Sequence, residues 1–440
     1  MILSRRRSRG WTNWSGTVRC EPSHCAHPVT VEQIQAEVLR TAEEGQRLRV
    51  IGSGHSFSPL CWTDENHLAL DRFTGIESTD FERKRVWVRA GTRLGRLVEH
   101  LADRGLALAT VPSHRGITLG GALATGTHGS GAHLGNLAAQ VTGLRLICAD
   151  GAVRTVSSDQ DPDLFHAAAV SLGALGVITH AELQCVDDHR LAVTCEAMTL
   201  AEMLERLDQL QRDHRHCEFL WFVHTDTVVL RRFDVTDALP TLLAPVKHVL
   251  RRGAHALMFR GMAETTRRLP ALTGAFDRLT ARMIHGCTDV LHARDVDSDL
   301  WCGRFQQLEY ALPATDLAPV LRALAMLIKA LGIRVHFPLQ VRFVAADAHW
   351  LSPHYARNSA CVAVPAYPDM RFDDYFAPIA ELFERHDGRP HWGMIHELSA
   401  EQLRSLYPRF DDFRALRRRC DPRGVFLNPY LATLFDERLR

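Results

Sequence analysis

Three stretches of this 440-residue chain hold residue types whose spacing suits chemistry. The first is Val50-Ile51-Gly52-Ser53-Gly54-His55-Ser56-Phe57-Ser58, placed directly after a short strand pattern. Glycine and serine there bring bare backbone N–H groups together, as an anion such as a pyrophosphate requires. No G-x-G-x-x-G followed by a helix is present, so the nucleotide-binding turn of doubly wound sheets is excluded. A Gly-Ser-Gly turn taken alone is equally an ordinary tight loop. The second stretch runs from Pro112 to Gly131 and includes Thr118, Gly120, Gly121, Thr127, His128, Gly129 and Ser130. It is rich in glycine and hydroxyls and nearly free of charge, so it can lie flat against a large planar ligand. Ile117, Leu119 and Leu123 between the glycines argue against a flexible linker, because linkers are polar. The third is a strand pattern over 334–344. Val335, Phe337, Leu339, Val341 and Phe343 make one face, and the other sets Gln340 beside Arg342. Arg342 is a fixed positive charge able to orient a substrate oxygen or stabilise developing negative charge.

These stretches, with Ser171-Leu172-Gly173-Ala174-Leu175-Gly176-Val177-Ile178-Thr179, resemble the vanillyl-alcohol-oxidase flavoproteins, whose FAD-binding domain is of the PCMH type. Within that family the chain looks most like the sugar-1,4-lactone oxidases (the gulono- and arabinono-lactone enzymes) and the alditol oxidases. Further matching motifs are Glu218-Phe219-Leu220-Trp221-Phe222, Leu308-Glu309-Tyr310-Ala311-Leu312-Pro313, Pro390-His391-Trp392-Gly393 and Asp421 to Tyr430. The resemblance implies an α+β fold: an FAD-binding domain over 12–188, a cap domain with an antiparallel sheet flanked by helices over 189–400, and a tail, 401–440, returning to the first domain. It implies FAD held by Ile51, Gly52, Ser53, Gly54, His55 and Ser56, by the seven residues of the second stretch named above, and by Ile178 and Asn428. His55 matches the histidine that members with covalent flavin join to the flavin 8-methyl carbon. Arg342 and Gln340 fall at the catalytic positions and, with Met394, at the substrate positions; no metal is implied.

Two positions depart from the family pattern. The usual Glu-x-Arg reads Gln340-Val341-Arg342, and the lysine that usually follows Pro-His-Trp-Gly is Met394. Loss of a carboxylate and an ammonium together keeps the charge balance, which suggests a re-tuned pocket. The expected activity is oxidation of a CH–OH group by hydride transfer to flavin N5, a sugar-1,4-lactone being the substrate and oxygen the acceptor. The alternatives are an alditol or sugar oxidase, a specialised-metabolite oxidase acting on CH–OH or CH–NH, and a flavin-binding protein without turnover.

The elements that must position these residues are legible from local signals. Thr30 and Gln33 have capping-box spacing before a helix with Ile34, Val38 and Ala42, which Gly45 stops. Leu94, Leu97, Val98 and Leu101 mark the apolar face of a second helix. Leu144, Leu146 and Cys148 alternate in a strand that turns at Asp150-Gly151 into a partner over 153–156. A strand over 177–183 follows. Beyond 190 the pattern predicts a helix over 200–210, strands over 219–223 and 228–233, mainly helix over 239–290, a strand over 305–312 and a helix over 317–331.

Composition adds exclusions. Hydrophobic residues are 46%, charged residues 23% and the net charge +1, which leaves no electrostatic case for nucleic acid or a membrane surface. The basic run Arg5 to Arg9 leads straight into Gly10-Trp11 with no apolar signal core. Eleven scattered cysteines show no C-x-x-C spacing, so neither a zinc site nor a disulfide framework is readable and the thiols are expected reduced, in a cytoplasm.

Overall fold

The computed structural model describes residues 10–242, 244–284, 286, 288–296 and 304–439. The basic run Arg5 to Arg9 lies outside them. The described residues before 190 build two small sheets of three or more strands, beside two short two-stranded pairings. One is parallel, formed by β1 (His24–Ala26), β2 (Leu48–Ile51) and β3 (Asn66–Ala69), with β3 central. The other is antiparallel: β4 (Ile76–Asp80), β5 (Arg85–Arg89), β6 (Val141–Ile147), β7 (Val153–Ser157) and β8 (Val177–Gln184), in the order β7-β6-β8-β5-β4. The helix Val31–Glu43 starts where Thr30 accepts from the Gln33 amide, and the helix Leu94–Ala102 buries the four apolar residues read from its sequence.

An eight-stranded sheet follows. Its strands are β9 (Arg190–Thr199), β10 (His216–Phe222), β11 (Thr227–Thr236), β12 (Thr288–His292), β13 (Gln306–Pro313), β14 (Leu339–Val344), β15 (Ser359–Ala366) and β16 (Arg389–Pro390). The order is β12-β9-β11-β10-β14-β15-β13-β16. One row of directly opposed residues crosses it: Arg231, Glu218, Arg342, Cys361, Ala311 and Arg389. Opposed residues share a face, so this row puts Arg231, Glu218 and Arg342 side by side.

The structure shortens the long strand expected over 334–344. Pairing begins at Leu339 because Pro338 has no N–H to give a ladder. Leu339, Val341 and Phe343 still face the core. The region over 239–290 is two helices, Ala244–Arg268 and Thr273–Ile284, followed by β12. No described helix is long and apolar enough to cross a membrane.

The C-terminal segment packs back on the first sheets through a buried cation. The Arg49 guanidinium, on β2, donates to the carbonyls of Leu60, Leu172, Gly173 and Phe426. It holds three separate segments at once, and burial pulls its pKa down to about 10. Asn428 caps the helix Pro429–Leu434 and donates to the carbonyls of Pro59, Leu60 and Trp62.

Candidate active site

The two glycine-rich stretches line a cavity between the small sheets. Its walls include Arg49, Ile51, Gly52, Ser56, Thr118, Gly120, Gly121, Gly173, Gly176 and Ile178. A Cβ on Gly52 would run into Thr118 Oγ1, so only glycine lets these two walls meet there. Gly54 adopts φ +68°, and its carbonyl accepts from the Trp14 amide. The amides of Ser53, Gly54 and Ser56 meet no acceptor among the described residues. A bare, glycine-lined cavity with unspent N–H groups fits an anionic cofactor such as FAD.

His55 stands beside this cavity. It shares a 3.2 Å hydrogen bond with His114 and stacks at a tilt on Trp14, with ring centroids 5.5 Å apart. His114 fixes the orientation of the His55 ring.

The same glycine-rich segment then borders a second cavity. Ser113, Gly129 and Ser130 line it, with His216, Glu218 and Arg342 of the eight-stranded sheet and its approach. Glu218 is 2% exposed and carries three contacts. Arg231 Nη1 donates to Oε1 at 2.8 Å; Arg342 Nε at 3.0 Å and Gln340 Nε2 at 3.2 Å donate to Oε2. Arg342 also donates to Ser113 Oγ. Burial raises the Glu218 pKa, and the two guanidiniums overcome it, holding the carboxyl below its ordinary range. Two guanidiniums against one carboxylate leave that cluster with a single excess positive charge, and Arg115 adds another guanidinium at the cavity wall. His216 donates from Nδ1 to Ser130 O at 2.7 Å, and burial lowers its pKa to about 4. It is therefore a neutral imidazole whose Nε2 can accept a hydrogen bond from a hydroxyl.

The expected residues thus divide. Ile51, Gly52, Ser56, Thr118, Gly120, Gly121 and Ile178 line the first cavity, and Gly129, Ser130 and Arg342 the second. Ser53 spends its hydroxyl on Gly116 O, and Thr127 contacts Thr125. His128 points away from both cavities, with Nε2 donating to Glu309 Oε1 at 2.8 Å. Asn428 spends its side chain on protein groups, so it secures the 59–62 loop. Gln340 reaches the site only through Glu218. Met394 follows β16, and β15 and β13 stand between β16 and β14, so positions 340 and 394 are not strand neighbours. The pocket is not short of a carboxylate, since Glu218 on the adjacent strand supplies one.

Sequence reasoning gave no role to Glu218, Arg231, Arg49 or His114. The signal for Glu218 was a single carboxylate in the otherwise apolar run Phe219 to Phe222, and a lone charge in a buried strand demands a partner.

Residues 181–434 match the family model described as D-arabinono-1,4-lactone oxidase, and residues 22–157 match an FAD binding domain. The chain belongs to the D-arabinono-1,4-lactone oxidase family. It is an FAD-dependent oxidoreductase of the sugar-lactone oxidase and dehydrogenase group. L-gulono-1,4-lactone dehydrogenase of Mycobacterium tuberculosis is 34% identical over 420 residues, covering 96% of this chain and 97% of the relative. L-gulonolactone oxidase of Mus musculus is 31% identical over 430 residues, with the same coverage. A solvent-stable cholesterol oxidase shares the fold at TM-score 0.84 with 18% identity, over 97% of both chains.

Proposed function

We propose that this protein oxidises a CH–OH group of a sugar-1,4-lactone, with FAD tethered through His55 and oxygen as acceptor. The observation that carries the reading is one glycine-rich segment bordering both cavities, so that the cofactor's wall is continuous with a wall bearing Arg342. FAD, when bound, supplies the hydride acceptor. Gly52, Ser53, Gly54 and Ser56 offer it backbone amides, with Thr118, Gly120, Gly121 and Ile178 opposite. Arg342, held by Glu218 and Ser113, orients a substrate oxygen with charge, and the neutral His216 ring offers Nε2 as a hydrogen-bond acceptor to the substrate hydroxyl. The lactone substrate is supported by the family and by relatives named for L-gulono-1,4-lactone.

Division into 12–188, 189–400 and 401–440 belongs to the same reading. It is supported by the change from small sheets to the large one near 190 and by the Arg49 and Asn428 contacts to the tail. A cytoplasmic location is supported by the nine described cysteines, none of which is joined in a disulfide.

The test is anaerobic flavin reduction across aldonolactones, alditols and amino sugars, repeated under air. Bleaching by an aldonolactone at a rate that supports turnover is expected, with peroxide released under air. Bleaching only by alditols or amino sugars would overturn the substrate, and reduced enzyme that persists in air would make the protein a dehydrogenase.

A further inference from the structure

Three side chains from two distant parts of the sequence meet where the glycine-rich segment approaches the eight-stranded sheet. His128, His354 from the loop joining β14 and β15, and Cys361 of β15 each place one ligand-capable atom within 4.8 Å of the others, and all are buried. His354 is 0% exposed, and neither of its ring nitrogens has a hydrogen-bond partner. A neutral imidazole carries one donor and one acceptor, and leaving both unmet in the interior is unfavourable. An ion on one nitrogen removes half of that deficit.

The surroundings are arranged as for a ligating histidine. His128 Nδ1 donates to Gly129 O at 2.9 Å, the outer contact that fixes a ligand's tautomer and aims Nε2. That Nε2 faces Glu309 Oε1 at 2.8 Å, and Gln307 Nε2 donates to the other oxygen at 2.9 Å. The ring centroids of His128 and His354 are 5.4 Å apart at 83°, an edge-to-face contact that keeps the two imidazoles side by side.

We propose that His128, His354 and Cys361 bind one zinc ion in a buried site joining the glycine-rich segment to the sheet, with Glu309, the partner of His128, completing the shell after a side-chain shift. Two imidazoles, a thiolate and a carboxylate suit zinc, whereas magnesium and calcium want oxygen. The Cys361 thiol proton and the His128 Nε2 proton leave for solvent as the ion enters, and no redox change occurs. Thiolate and carboxylate together neutralise the 2+ charge. With all four positions taken by protein, the ion is structural. Because Cys361 is directly opposed to Arg342, it fixes the strand that backs the second cavity.

The chain is purified without metal-affinity resin or chelator, dialysed against micromolar zinc and then zinc-free buffer, and assayed for metal by mass spectrometry. About one equivalent should remain. X-ray absorption at the zinc edge should show one sulfur at about 2.3 Å among nitrogen and oxygen near 2.0 Å. Cys361→Ala and His354→Ala should each weaken retention at least tenfold while flavin content, the folding control, is unchanged. Should both variants misfold, the wild-type absorption spectrum decides alone. Retention below about 0.1 equivalent, or zinc bound without sulfur, overturns the proposal.

Discussion

The carboxylate at Glu218 and the amide at Gln340 meet at 3.2 Å, and exchanging them tests the electrostatics of the pocket directly. Gln340→Glu alone puts a second negative charge against Glu218 Oε2. At 3.2 Å and an effective dielectric of 20, like charges repel by about 5 kcal/mol. Arg231 and Arg342 offset part of this, so a net loss of roughly 2–4 kcal/mol is expected. Glu218→Gln alone leaves the Arg231 and Arg342 side chains, 5% and 13% exposed, without a counter-charge. Removing one partner of a buried pair costs roughly 3–5 kcal/mol. The double change moves the carboxylate one strand over, still beside Arg342, and should recover about 0.5–3 kcal/mol beyond the sum of the singles. Thermal melting of the four proteins measures this, together with flavin reduction by an aldonolactone. The sign of the pH dependence follows from the lowered Glu218 pKa. A depressed carboxyl stabilises the fold above its unfolded value of about 4.3 and loses that contribution as pH falls through its folded value. The gap between wild type and Glu218→Gln should therefore be full at neutral pH and close in acid. Additivity within about 0.5 kcal/mol, or a gap that ignores pH, would refute the reasoning.

Five further outcomes are expected. Arg342→Ala should slow flavin reduction about 30- to 1,000-fold, corresponding to roughly 2–4 kcal/mol of lost transition-state stabilisation; an unchanged rate with a large fall in Tm would make Arg342 structural. His55→Ala should release all its flavin on acid precipitation, whereas wild type stays yellow. His114→Ala should tether flavin more slowly because the His55 ring loses its hydrogen-bond partner; flavin free in acid-precipitated wild type would remove the basis for both. Arg49→Met should destabilise by about 3–5 kcal/mol, since four buried carbonyls lose their donor, and limited proteolysis should then cut the tail first; an unchanged Tm would contradict this. Gln340→Glu combined with Met394→Lys should be additive within about 0.5 kcal/mol, because two strands, at about 4.8 Å spacing, intervene; strong coupling in a double-mutant cycle would contradict the geometry.

Local signals in this chain were sufficient wherever the determining contacts lie within a few residues. Thr30 with Gln33 marked a helix start, alternation put Leu339, Val341 and Phe343 inward, and the glycines of the two loops announced a wall that side chains could not make. The apolar face at 94–101 and the helix over 317–331 were likewise read as they fold, since helix periodicity is a property of the segment itself. The resemblance placed His55 and Arg342 but suggested a pocket emptied of its carboxylate. What only the tertiary structure decided depends on register between strands that are not consecutive. Glu218 comes to face Arg342 because β10 pairs with β14 across more than a hundred residues. His128 turns from the first cavity toward Glu309, and His354 and Cys361 lie beside it, through contacts between segments far apart in the sequence. Register is set by the burial of whole faces and by turns elsewhere, so no spacing within a strand reveals which charges it will bring together.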